Sequence, residues 1–246
     1  MGGTPGGQAT RVLGAAAGGC RWSTLRAAGV SRRELAAEVS AGLVRRVGTG
    51  GYVLPDAPAG VVAAVRHSSA LGCVSALEHH GVDLLTRPTR PHLVPARARS
   101  DRGVVWHARA RWDELAVPVP VALAQLGTCR SRVETLVALD GAVRSGRVDA
   151  GEVVAAARSR DRDGLVWALR HLDPRAESVI KSALRAHLVL AGVERIDLQV
   201  ELDGVGRVDL LIDGWLVVEA DGFESHSTRE GYRADRRRGA FRTARP

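Results

Sequence analysis

The chain has 246 residues, 45% hydrophobic and 25% charged, and its 35 Lys+Arg against 27 Asp+Glu give a formal charge of +8. That composition supports one to three packed domains of roughly 100–150 residues each, and no run reaches the roughly 18 apolar residues that a membrane-spanning helix needs. Lys181 is the one lysine; GC-rich codon usage accounts for arginine over lysine, whereas the net positive excess points to a polyanionic partner. The glycine-rich start lacks a basic segment followed by an apolar core, so no secretory leader is expected. Cys20, Cys73 and Cys129 form no C-x-x-C pair. Neither a disulfide framework nor a structural zinc site is therefore expected, and the cytoplasm is the expected compartment.

The first segment, 1–56, predicts three short helices and a hairpin. Gln8 to Ala17 and Leu25 to Ala28 are helical in pattern, the second stopped by Gly29. Ser31-Arg32-Arg33-Glu34 is an S-x-x-E capping box opening a third helix, whose Leu35 and Val39 share a face and which Gly42 ends. Leu43 to Val47 and Tyr52 to Leu54 flank Gly48-Thr49-Gly50-Gly51, a hairpin with a glycine-rich tip. Three helices with a β-hairpin predict a winged helix-turn-helix, with Arg32 and Arg33 turned to a DNA major groove and Arg45 and Arg46 near phosphates.

The middle segment, 57–172, reads as mixed α/β. Val61 to His79, Val121 to Ser145 and Asp149 to Arg160 are helical in pattern, and Pro91 to Ala96 and Gly103 to Ala108 are strand-like. His67, His79, His80, His92 and His107 show no ligand spacing supported by a neighbouring Cys or acid, so they read as ordinary histidines. Trp106, Trp112 and Trp167 read as core.

The last segment, 173–246, carries the acids. Pro174 reads as the first residue of a helix that continues through Glu177, Ile180, Leu184 and Leu188 to Gly192. Ile196 to Leu202 alternates as a half-buried strand, Arg207 to Ile212 is apolar around Asp209, and Trp215 to Gly222 is apolar until Glu219 and Asp221. A bare carboxylate buried in a strand costs on the order of several kcal/mol, even after relaxation. A hard cation or partner arginines would offset it. Register separates two geometries. A two-residue loop at Asp213-Gly214 puts Asp209 and Glu219 on opposite sheet faces; a three-residue loop or a bulge puts Asp209, Glu219 and Asp221 on one face. A metal site requires the second.

These residues resemble a known family. Asp209 followed by Glu219-Ala220-Asp221-Gly222-Phe223-Glu224-Ser225-His226 looks like the very short patch repair endonuclease-like domain of the PD-(D/E)xK restriction-endonuclease-like fold. Glu177 matches the acid such domains carry on their first helix, and Thr228 to Arg238 resembles their following basic helix. Residues 8–55 resemble, more loosely, the winged-helix domain of AbiEi-type antitoxins of type IV toxin-antitoxin systems, and the middle segment the body of such proteins. The resemblance implies Mg²⁺ or Mn²⁺ held by Asp209 and Glu219, Asp221 as a further ligand, and His226 as general base or leaving-group acid. It implies phosphate contacts from Arg229, Arg233, Arg236, Arg237 and Arg238. Asp221 departs from the family's lysine, and the chain ends before the strand that follows the basic helix in that fold.

The expectation is therefore an α+β, multidomain protein: a winged helix-turn-helix at 1–56, a mixed α/β connecting domain at 57–172, and a restriction-endonuclease-like domain lacking its last strand at 173–246. Its expected activity is metal-dependent hydrolysis of DNA phosphodiesters. The alternative is a non-enzymatic, antitoxin-like DNA-binding regulator with a degenerate nuclease domain and a cognate toxin. An unpaired apolar edge on strand 215–221 would favour a homodimer.

Overall fold

The computed structural model describes residues 7–157 and 163–220. Asp221, His226, Arg229, Arg233, Arg236, Arg237 and Arg238 lie outside the described residues. The fold is α+β, with three small three-stranded sheets and ten helices among the described residues.

The chain begins with α1 (Gln8–Ala15), β1 (Gly19–Arg21), α2 (Trp22–Ala27), α3 (Arg32–Ser40), β2 (Arg45–Val47) and β3 (Gly51–Val53), the strands forming an antiparallel sheet of order β1-β3-β2. Strand β1 is too short to show alternation, and the sequence reading missed it. The capping box forms as expected: Ser31 Oγ accepts from the Glu34 amide at 3.2 Å, and the Ser31 amide donates to Glu34 Oε2 at 2.8 Å. Helix α1 has no side-chain cap of its own. Its orphan amides are met by Glu38 of α3, whose carboxylate accepts from Ala9 N at 2.9 Å, Thr10 N at 2.8 Å and Thr10 Oγ1 at 2.6 Å. Gly7 permits this approach, since a Cβ there would lie 2.3 Å from Glu38 Oε1. Leu13, Leu25, Val30, Leu35 and Val44 close a small core.

The single helical pattern expected over 61–79 is divided. Helix α4 (Ala59–His67) ends at Ser68 with φ 54°, β4 (Ser69–Leu71) follows, and α5 (Cys73–His79) begins two residues later. Sheet pairing overrides local helical periodicity here. Strand β4 runs antiparallel to β5 (His92–Pro95), which in turn runs parallel to β6 (Val105–Trp106). The helix expected over 121–145 is likewise two, α6 (Val119–Cys129) and α7 (Arg132–Arg144), because Arg130 is extended and Ser131 with Glu134 forms a second capping box. Helices α8 (Ala150–Ala157) and α9 (Asp163–Arg170) complete this part. A Cβ on Gly164 would stand 2.3 Å from Gly127 O, so glycine is what lets α9 press against α6.

Helix α10 (Val179–Leu190) starts five residues later than Pro174 suggested, because Ser178 caps it by accepting from Lys181 N at 3.2 Å. Glu177 therefore precedes the helix instead of lying on it. The meander β7 (Ile196–Leu202), β8 (Gly206–Ile212) and β9 (Leu216–Val218) is antiparallel in the order β7-β8-β9. Leu184 and Leu188 of α10 pack with Leu198 and Leu210 of the sheet, while Ala186 enters the core of the middle helices. A buried polar knot fixes α10 to α7. Asp140 Oδ2 accepts from Arg185 Nη2 at 2.7 Å and Ser182 Oγ at 2.8 Å, Asp140 Oδ1 accepts from Asp173 N at 3.0 Å, and Arg185 Nη1 donates to His171 O at 2.5 Å. Burial pushes the Asp140 carboxyl up, against the downward pull of Arg185 and of the bonds from Asp173 and Ser182.

Candidate functional site

The carboxylate cluster follows from one loop. Ile212 pairs with Leu216, so Asp213, Gly214 and Trp215 form a three-residue connection between β8 and β9. Asp213 and Gly214 have φ of 52° and 76°, conformations an acid tolerates and glycine favours. The same register sets Leu210 against Val218; continued by one residue it aligns Asp209 with Glu219, in keeping with the Asp209 amide's bond to Glu219 Oε2. Of the two geometries open to the sequence, this is the one that brings the acids together.

The Ala220 amide donates to Asp209 Oδ2 at 3.0 Å, and the Asp209 amide donates to Glu219 Oε2 at 3.3 Å. Lys181, on the first turn of α10, places Nζ 2.6 Å from Asp209 Oδ1 and 3.5 Å from Glu177 Oε2. Arg207 reaches Glu177 at 3.2 Å. Burial pushes the Asp209 carboxyl up, but the bonds from Lys181 and the Ala220 amide outweigh it and hold it below the usual carboxylate range. Burial lowers Lys181 in turn, and the Asp209 and Glu177 carboxylates more than restore it, leaving it raised. Gln199 lies between the paired Leu198–Leu210 and Val200–Val208, where the ladder is interrupted, at φ 56°, with both amide atoms of its side chain buried and without a hydrogen-bond partner.

Asp209 and Glu219 are thus brought together by the fold, and Glu177 is linked to them only through Lys181. Lys181 and Gln199 were not singled out in the sequence. Lys181 had a signal: it is the chain's one lysine, four residues after Glu177. All the oxygen donors are carboxylates, the donor set a hard divalent cation prefers.

Arg32 and Arg33 are the first two residues of α3, and Arg45 and Arg46 lie on edge strand β2; all four are exposed. The Arg32 guanidinium lies over the Trp22 ring at 5.3 Å.

A second cluster was not expected. Cys73, His92, His107 and Cys129 each offer one ligand atom, and these atoms lie within 4.8 Å of one another. They could hold a metal ion, which corrects the reading of His92 and His107 as ordinary histidines. The four are separated in sequence by 18, 14 and 21 residues, and only the pairing of β4, β5 and β6 beside α6 unites them.

No family model matches the chain, and no curated protein matches it. Among solved structures, the crystal structure of the RV2827C protein from Mycobacterium tuberculosis is similar over 80% of this chain and 87% of that one, at 16% identity and a TM-score of 0.36.

Proposed function

We propose that the protein binds DNA and hydrolyses its phosphodiesters with a divalent metal held at Asp209 and Glu219. The observation that carries this reading is the pair of amide bonds that hold the Asp209 and Glu219 carboxylates side by side, from Ala220 N to Asp209 Oδ2 and from Asp209 N to Glu219 Oε2. Two such groups cannot both ionise without repulsion, and a cation relieves it. Mg²⁺ or Mn²⁺ fits the all-oxygen donor set and, when bound, supplies Lewis-acid polarisation of a phosphodiester.

The chain's own residues prepare that site. The Ala220 amide and Lys181 orient Asp209, and the Asp209 amide orients Glu219. Lys181 offsets part of the acidic charge, which reduces the repulsion met by an incoming phosphate, and it supplies the ammonium that Asp221 does not. By the resemblance, Asp221 adds a ligand and His226 moves a proton as general base or leaving-group acid. Glu177 holds Lys181 and Arg207 beside the pair.

The N-terminal part supports DNA binding. Its order α1-β1-α2-α3-β2-β3, with β3 central, suits a winged helix-turn-helix in which α3 enters the major groove and β2–β3 is the wing. Arg32 and Arg33 then lie at the end of α3 that meets base edges or phosphates, and Arg45 and Arg46 lie on the wing. Arg229, Arg233, Arg236, Arg237 and Arg238 extend the phosphate contacts by resemblance.

One observation favours a second reading. Both Asp209 oxygens already have partners in Lys181 and Ala220, so the acids are satisfied without a metal. A non-enzymatic DNA-binding regulator of antitoxin type, with a toxin partner, would keep the same sheet as scaffold. Cleavage of single- and double-stranded DNA in Mg²⁺ or Mn²⁺, beside the Asp209→Ala protein, separates the two. Metal-dependent cleavage that the substitution abolishes supports the nuclease; DNA binding without cleavage supports the regulator.

A further inference from the structure

The Cys73, His92, His107 and Cys129 cluster is remote in sequence from the acids and plays no part in the proposed reaction. We propose that it is a closed, structural Zn²⁺ site that ties the middle segment together.

Geometry is the first argument. A tetrahedral zinc with Zn–N of about 2.0–2.1 Å and Zn–S of about 2.3 Å sets its nitrogen ligands about 3.3 Å apart and a sulfur–nitrogen pair about 3.6 Å apart. In the protein, His92 Nδ1 lies 3.1 Å from His107 Nε2 and 3.6 Å from Cys129 Sγ. Cys73 completes the set within the same 4.8 Å span. Two sulfurs and two imidazole nitrogens suit zinc rather than Mg²⁺ or Ca²⁺, which take oxygen. Four protein ligands also fill a tetrahedral shell, leaving no position for substrate.

The supporting residues are the second argument. Cys73 has φ 48°, a left-handed conformation that a residue with a Cβ seldom adopts. It is held there by a buried hydrogen bond from its amide to Gln125 Oε1 at 2.7 Å. The His92 amide donates to Ser75 Oγ at 3.0 Å, also buried. Gly72 leaves the room: a Cβ there would come within 2.6 Å of Val94 Cγ2 and 2.9 Å of Gln125 Oε1. Two buried polar side chains thus fix the backbone at two of the four candidate ligands, as supporting residues around metal centres do.

Topology gives the site its purpose. Cys73 opens α5, His92 opens β5, His107 follows β6, and Cys129 closes α6. Strand β6 has only two residues, a weak hold for the chain between β5 and α6. A single ion bonded to all four positions pins that chain to the helices, and its binding free energy adds directly to folding.

The test is the metal content of the full chain purified under reducing conditions without chelator. An equimolar zinc content is expected. After zinc is withdrawn and replaced by Co²⁺, tetrahedral d–d bands and a thiolate-to-cobalt charge-transfer band are expected; the carboxylate site could produce neither the latter nor its loss in Cys73→Ser. Cys73→Ser and His107→Gln should lose the bound zinc and those bands, and Cys20→Ser should keep both. A zinc-free protein whose Co²⁺ form lacks thiolate bands overturns the proposal, and so does a Cys73–Cys129 disulfide as the stable form of the protein. Because zinc content and cobalt spectrum are read on the unsubstituted chain, poor folding of a variant does not shield the proposal.

Discussion

Asp209 and Glu219 are joined across the β8–β9 hairpin by amide-to-carboxylate bonds, from the Asp209 amide to Glu219 Oε2 at 3.3 Å and from the neighbouring Ala220 amide to Asp209 Oδ2 at 3.0 Å. The juxtaposition depends on Asp213-Gly214-Trp215 being a three-residue connection, since one residue fewer would turn Glu219 to the other face. Gly214 sits at φ 76°. Gly214→Val should cost about 1–2 kcal/mol, because a β-branched residue is strained in the left-handed region. Gly214→Asn should cost less, about 1 kcal/mol or under, since asparagine tolerates that region. Urea unfolding of the three proteins measures the difference.

The buried pair of Arg185 and Asp140 ties α10, and with it Lys181, to the middle helices. Arg185→Met leaves Asp140 buried without its cation and should destabilise by about 3–5 kcal/mol. Adding Asp140→Leu should recover much of that loss, because the uncompensated charge is gone. A double variant no more stable than Arg185→Met would show that the pair does more than balance charge. Denaturant midpoints of the single and double variants decide it.

Much of this was legible from residue pattern. The S-x-x-E spacing at Ser31 located the start of α3, and the alternation in Ile196 to Leu202 marked β7. The same spacing at Ser131 was present but lay between two segments of helical periodicity with no glycine or proline to part them, so α6 and α7 read as one helix. Strand β4 was lost in the same way, because three residues paired to β5 carry no period of their own. Register at Asp213-Gly214 had two solutions in the sequence, and only the sheet chooses. The Cys/His cluster was illegible for a different reason: its members share no local spacing and meet only through tertiary packing.

Glu134 offers a test in pH. Burial pushes its carboxyl up, but the bonds from Thr86 and Ser131 and the nearby Arg130 outweigh this and hold it below the usual carboxylate range. A depressed folded value means that the carboxylate stabilises the fold above its unfolded pKa of about 4.3 and that this contribution is lost as pH falls through the folded value. Glu134→Ala should therefore cost about 1 kcal/mol at neutral pH, through loss of the capping box, and less in acid. A penalty that is the same at neutral and acid pH would contradict the assignment.

The N-terminal segment makes a prediction in salt. Replacing Arg32 and Arg33 together by alanine should weaken duplex binding and flatten the slope of log affinity against log salt by about 2, as two fewer phosphates are neutralised. An unchanged slope would remove α3 from the interface.

The most direct measurement is a DNA cleavage assay with Mg²⁺ or Mn²⁺ on the wild-type chain, Asp209→Ala and Lys181→Met, with duplex binding followed in parallel. The account predicts metal-dependent cleavage by the wild type, none by Asp209→Ala, a reduced rate for Lys181→Met, and duplex binding retained by all three. Cleavage that persists in Asp209→Ala, or wild-type protein that binds duplex and leaves it intact in either metal, would contradict it.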